Sequence, residues 1–437
     1  MLYYLYCMKL LVALFFLFLT LQEVAMAQNR REDIYTDFVL YNKRMLLQQD
    51  VKENLIGKTF SQPLDSNTEY RYEAACNAVT QYMLSDDQVY QGFTRMFAQY
   101  DELQYETKKA LLEAVYSAYP TQFTGSVQKV IAKETHPKLF ASAAVYAYRV
   151  NASVSTANDL KIKMAEQFPG YDTVDILLEL EKYLSTGKYS SLTLSDIKEL
   201  FSFQHALRQK VIYSFQRNNR DYPGLAIVQN ADGSFFRHPD GRLMIFEQLA
   251  RAASNLPYFL TNGNTPQGVY SIRGTAVANN KLIGPTPNLQ LLIPYENKWE
   301  RYFQLPDGIA WDTLQDPLQA YKQLLPPGWR NKPAMTEAYY AGKIGRNAII
   351  AHGTTIDPEY FRDKPFYPLT PTMGCLCAKE LWNITTGRLL VSEQFNLVSA
   401  FTATPGYKGY LYVVNVDDQQ KPVSRAEVES WVREFEK

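Results

Sequence analysis

An α+β multidomain chain is predicted, an all-helical N-terminal region followed by a β-rich C-terminal one, and three observations carry that prediction. Residues 31–217 place apolar side chains at helical spacing between proline stops. From residue 224 onwards, short apolar runs alternate with Asp-Gly turns, the pattern of hairpins. The chain has 437 residues, 46% of them hydrophobic, which is enough for two or three cores and too apolar for extensive disorder.

The elements follow in order. After Met8-Lys9 comes the apolar run LLVALFFLFLTL and then QEVAMAQ, with a small-x-small site at Ala25-Met26-Ala27. A basic start, a short apolar core and such a site form a secretory signal over residues 1–27, cleaved after Ala27. The expected location is therefore the periplasm or cell envelope. The alternative is a retained anchor, since Lys9 is the only charge up to Leu21, and membrane association is expected only in that case. Without Cys7 the exported chain keeps Cys76, Cys375 and Cys377. An odd number leaves at least one thiol unpaired within the chain. In an oxidising compartment a free thiol points to reactivity rather than packing.

Residues 28–218 read as a helical domain. DELQYETKKALLEAVYSAYP sets Leu111, Leu112, Val115 and Tyr116 on one face before Pro120, and HPKLFASAAVYAYRVN restarts after His136-Pro137. SLTLSDIKELFSFQHALRQKVIYSF continues the helical pattern. Such pairs resemble HEAT-like repeats, either a platform for a protein partner or a plain helical domain. His136 and His205 read as structural residues.

Residues 219–437 read as the β-rich domain. GLAIVQNADGSFFRHPDGRLMIF turns at Asp232-Gly233 and Asp240-Gly241, with His238 in the second turn. TPQGVYSIRG feeds a strand through Val269, Tyr270 and Ile272. Residues 276–343 are too long for a simple connection and read as an inserted lid or small subdomain. RNAIIAHGTT is a short buried strand ending at His352, AKELWNIT starts a helix, and GYKGYLYVVNVD is a strand. SRAEVESWVREFEK closes the chain as an amphipathic helix capped by Ser424.

The charge balance narrows the partners. Lys and Arg number 45 and so do Asp and Glu, leaving no excess cation to neutralise phosphates, so nucleic acid is not the expected partner. The residues that carry chemistry are His352 and Cys375, each beside a glycine. A thiol attacks as thiolate, and an imidazole nearby in the fold takes its proton. Gly353 and Gly374 lack a Cβ and let backbone approach a substrate closely. The amides of Gly374 and Cys375 are then candidates for an oxyanion hole. Three other readings stay open at this point. Zinc would have only His352, Cys375 and Cys377 as ligands, without C-x-x-C spacing. Cys375 and Cys377 could form a strained redox disulfide. The pair could also be structural. No cofactor and no metal are implied.

The order of motifs adds to this. Thr265, Pro266, Gly268 and Tyr270 on a turn-strand, His352-Gly353-Thr354 at a strand end, Thr372, Gly374, Cys375 and Leu376, and the closing GYLYVVNV strand together resemble the L,D-transpeptidase catalytic domain. The resemblance covers residues 224–417. It implies acyl transfer on peptidoglycan stem peptides, with Cys375 attacking the carbonyl of the third stem residue and releasing the terminal D-amino acid. An amine of a neighbouring stem then takes the acyl group, forming a 3-3 cross-link; water in its place makes an L,D-carboxypeptidase. A non-catalytic cell-envelope binding protein is the alternative outside enzymology. The resemblance implies Cys375, His352, Gly374 and Thr372 as catalytic residues, and Gly353, Thr354, Tyr270, Met373 and Cys377 as substrate-binding ones. Two positions depart from the family pattern: Met373 stands where a second histidine precedes Gly-Cys, and Cys377 where an Arg or Asn follows. Arg362 and Arg388 are the candidates to stand in for that cation.

Overall fold

The computed structural model describes residues 30–185 and 191–437, so the signal segment lies outside the described residues. The architecture is mixed α+β, with an N-terminal helical region and a β-rich region built on a closed eight-stranded barrel.

The helices of the first region begin where the side chains say they should. Asp86 accepts from the Val89 amide to start Asp87–Ala98, and Ser153 accepts from Thr156 to start Val154–Gln167. His136 caps Pro137–Val150 through its ring nitrogen, which accounts for it structurally. Helix Tyr105–Ala118 buries Leu111, Leu112 and Val115 in a core shared with Tyr72, Phe93 and Phe140. That core does not stop at the domain boundary. Leu249, Leu256, Phe259, Phe361 and Phe366 from the β-rich region belong to it.

The strands are β1 (Lys210–Arg217), β2 (Gly224–Gln229), β3 (Phe246–Leu249), β4 (Gly268–Ala276), β5 (Asn288–Leu292), β6 (Ala351–His352), β7 (Leu376–Ala378), β8 (Glu380–Trp382), β9 (Leu389–Ser392) and β10 (Gly409–Asp417). The barrel runs in the order β1-β10-β4-β5-β6-β7-β3-β2. Only β1–β10 and β6–β7 are parallel neighbours within it. Strand alternation gives two apolar faces. Ile212, Tyr270, Leu289, Ala351, Leu376 and Leu411 pack with Phe401 of helix Glu393–Thr402. Tyr213, Phe215, Val269 and Tyr412 pack instead with helices Leu194–Leu207 and Arg425–Phe435. The second of these helices has the expected Ser424 cap, closed reciprocally by Glu427.

Three sequence expectations are corrected. KVIYSFQR is not helical: Arg208 takes the left-handed conformation (φ 50) after helix Leu194–Leu207, and after Gln209 the eight residues Lys210–Arg217 form a fully buried strand. A run buried on both faces has no period of two, so its pattern does not separate strand from helix. Helix Leu194–Leu207 before it packs on the barrel through Ile197, Leu200 and Phe201. AKELWNIT is not a helix start but β8, paired with β9 across a turn held by Asn383. The excursion placed at 276–343 contains barrel strand β5, so the excursion proper runs from 293 to 350. Its aromatics pack on the outer face of the barrel, in one cluster with Tyr213, Val269 and Tyr412, rather than forming a loose lid. Tyr302 donates to the Val269 carbonyl (2.9 Å), Tyr321 accepts from the Val269 amide (3.0 Å), and Trp329 is fully buried.

Candidate active site

β6 and β7 lie side by side and parallel, with Ala351 opposite Leu376 and His352 opposite Cys377. Ala351 and Leu376 turn into the apolar face, so His352 and Cys377 share the other face, and Cys375 lies in the bend that enters β7. The two halves of the sequence motif are therefore neighbours in the fold.

Cys375 is partly exposed, while Cys76 and Cys377 are buried. Its sulfur accepts from the Ile350 amide (3.4 Å) and donates to the Ala348 carbonyl (3.5 Å). Burial pushes the thiol above its usual value, while the Ile350 N–H and the Arg346 guanidinium pull it back down. The resting form is the neutral thiol. At Cys377 burial raises the thiol to about 12, against a smaller pull downwards from Thr370, whose Oγ1 lies 3.7 Å from the sulfur. All three described cysteines are free, and among the described residues no three His, Cys, Asp or Glu side chains gather as a metal site.

The His352 imidazole is buried, and desolvation pushes it down to about 4, so it is neutral at pH 7. Its Nδ1 is bonded to the Gly353 carbonyl. A carbonyl only accepts, so Nδ1 carries the hydrogen and Nε2 carries the lone pair. That is the tautomer a proton acceptor needs. Among the described residues no hydrogen bond joins the imidazole to the Cys375 thiol.

The turn into β7 is held by Thr372, whose Oγ1 accepts from the Gly374 amide (3.0 Å) and donates to the Cys375 carbonyl (2.8 Å). The Gly374 N–H is thus already committed. The Cys375 N–H has no acceptor among the described residues, and of the two amides expected to hold an oxyanion it is the one available. Met373 is partly exposed beside the thiol. Tyr270 and Thr354 are placed differently. Tyr270 is fully buried with its hydroxyl on the Pro266 carbonyl (2.7 Å). Thr354 is buried too, its amide on Glu380 (2.8 Å) and its carbonyl accepting from Trp382 (2.8 Å).

The two glycines answer to side chains rather than to open space. A Cβ on Gly353 would meet the Glu380 carboxylate at 2.1–2.3 Å. A Cβ on Gly374 (φ 114) would meet an Arg346 nitrogen at 2.3 Å and the Gly263 carbonyl at 2.8 Å. Glu380 is buried, accepts from Ser392 (2.6 Å) and Thr354, and is pushed up to about 7 by desolvation. Arg346 is buried and donates to the carbonyls of Tyr258, Asn264 (2.9 Å) and Gly263 (2.9 Å). Arg362 and Arg388 stand elsewhere, Arg362 paired with Glu359 and Arg388 bonded to the Glu32 carbonyl (2.6 Å). Sequence reasoning missed Arg346 and Glu380 because neither lies in a motif. The available signal was that an unexplained arginine sits six residues before His352.

No family model matches the chain, and no curated protein or solved structure matches it either.

Proposed function

We propose that the chain is an exported cysteine acyltransferase of the L,D-transpeptidase type, acting on peptidoglycan stem peptides. One observation supports this above the others: Cys375, the only partly exposed cysteine described, leads directly into the strand that pairs with β6, and β6 ends in a neutral histidine whose Nδ1 is tied down. Cys375 would attack the stem carbonyl as His352 Nε2 takes its proton. The C–S bond forms, the C–N bond breaks, and the leaving amine takes the proton from His352. The Cys375 amide faces the developing oxyanion. An acceptor amine then displaces the thiol and gives the 3-3 link, and water in that place gives the L,D-carboxypeptidase. The helical region, in this reading, is the surface for a protein partner in the envelope.

The test is covalent labelling. A carbapenem is expected to add its mass to Cys375 in the wild type and to leave Cys375→Ser unmodified. A folded wild type that gains no adduct would rule the transferase out. A second reading, a non-catalytic envelope-binding protein, is favoured by one specific observation: thiol and imidazole are both neutral and not bonded to each other. Binding of muropeptides by a protein that resists acylation is its expected signature.

A further inference from the structure

A buried arginine without a carboxylate partner needs an explanation. Desolvating a guanidinium is costly, and buried arginines ordinarily face an acid. Arg346 donates to three backbone carbonyls and no described carboxylate bonds or pairs with it. Carbonyl dipoles satisfy its N–H groups but leave its net charge in place. Three potentially anionic groups lie within electrostatic reach of that charge: the Tyr270 phenol, which burial holds neutral, the Cys375 thiol, and Glu113 of helix Tyr105–Ala118. The guanidinium also fills the space beside Gly374, so the turn that carries the thiol is moulded around it.

Glu113 ties this charge to the helical region. It is buried, its Oε2 accepts from Asn262 (3.0 Å), and its Oε1 has no partner among the described residues. Asn262 belongs to the same loop whose Tyr258, Gly263 and Asn264 carbonyls hold Arg346. Ser117, one turn further along that helix, donates to Ala253 (3.1 Å) at the start of the loop.

We propose that Arg346 is a positioning residue of the Cys375 site, supplying the positive charge that stabilises the thiolate and shaping the Gly374 turn, with Glu113 of the helical region setting how much of that charge the thiol feels. This rests on Cys375 being the nucleophile. It also explains how a site with Cys377 in place of the family's Arg or Asn retains a cation: the charge comes from outside the motif.

The other groups facing the thiol are few. Glu296 accepts from the Ala348 amide (2.7 Å) and opposes the thiolate, and His352 and Cys377 are neutral on the shared face. At the pH where Cys375 ionises, Glu113, raised only to about 7, is a carboxylate and partly cancels Arg346. The two residues should therefore move the thiol in opposite directions.

The measurement is the rate of Cys375 alkylation by iodoacetamide against pH, on the full chain, with the modified residue assigned by peptide mass. Arg346→Gln is expected to raise the midpoint by about one unit or more. Arg346→Lys, which keeps the charge, should return most of that shift. Glu113→Gln should lower the midpoint by less. A folded Arg346→Gln with the wild-type midpoint overturns the proposal. If that variant does not fold, Glu113→Gln decides: a lower midpoint supports the proposal, and an equal or higher one overturns it. Alkylation is independent of stem-peptide chemistry. Shifted midpoints in a protein that carbapenems never acylate would keep Arg346 in its role and remove the transferase, while unshifted midpoints in an acylated protein would do the reverse.

Discussion

His352-Gly353 at the end of β6 and Gly374-Cys375 at the entry to β7 look alike in sequence, a chemical residue beside a glycine, but they are backed by opposite charges. Behind Gly353 lies the buried carboxylate of Glu380; behind Gly374 lies the buried guanidinium of Arg346. The Arg346 cation lies within reach of the thiol that would become an anion, and the Glu380 carboxyl lies against the glycine that follows His352. Each glycine is there because a side chain, not a substrate, occupies the position of its Cβ. The difference between them is conformational as well. Gly374 has φ 114, a region closed to alanine, whereas Gly353 has no such restriction.

That contrast sets the largest expected effect. Gly374→Ala meets both backbone strain and a clash with Arg346 and the Gly263 carbonyl, and should lose about 4 kcal/mol of stability. Gly353→Ala meets only the clash with Glu380 and should lose about 3 kcal/mol. Urea unfolding of both variants checks the order. The comparison sharpens with a second change: Glu380→Ala should recover part of the loss in Gly353→Ala, because it removes the clashing atoms. Arg346→Ala should recover a smaller share of the loss in Gly374→Ala, where the strain and the Gly263 carbonyl clash remain.

How much of this could be read from the sequence differs between the two levels. The helices with an apolar face ended by a proline or opened by a polar cap, such as Tyr105–Ala118 and Arg425–Phe435, follow from local rules and were legible. β1 was not, because a strand buried on both faces has no alternation to see. β5 was hidden inside what read as an insertion, since pairing between β4 and β6 is a non-local fact. In the site, His352 and Cys375 were legible from residue type and glycine neighbours. The residues behind them were not: Arg346 and Glu380 reach the motif through folding, and their burial makes them important. The same holds for Gly374, whose amide seemed free until Thr372 was placed.

The next effect tests the acid side alone and depends on pH. Glu380 has a folded pKa of about 7 against 4.5 for the ordinary carboxyl, so between those values the folded state binds more protons than the unfolded. Stability must then fall as pH rises through that window. Glu380→Gln lacks the titration. The stability of the wild type relative to Glu380→Gln should drop by about 2 kcal/mol from pH 5 to pH 7. His352 and Glu113 titrate in both proteins and cancel in the difference. A difference that stays flat with pH would mean that Glu380 keeps an ordinary pKa and that the acid behind Gly353 is charged throughout.

The smallest effect concerns the base side, at the turn itself. Thr372→Val keeps the shape of the side chain and removes the hydroxyl. The Cys375 carbonyl keeps only a share of the single Thr265 hydroxyl hydrogen (3.3 Å), which also faces the nearer Gly374 carbonyl (3.0 Å), and the Gly374 amide is left without its partner. One buried N–H deprived of its acceptor costs about 1 kcal/mol. If Thr372 serves only to order the turn, carbapenem acylation of Cys375 should slow by about fivefold, in step with that loss. Acylation that instead becomes faster would show that the freed Gly374 amide joins Cys375 in holding the oxyanion, and that Thr372 withholds a donor from the site rather than supporting it.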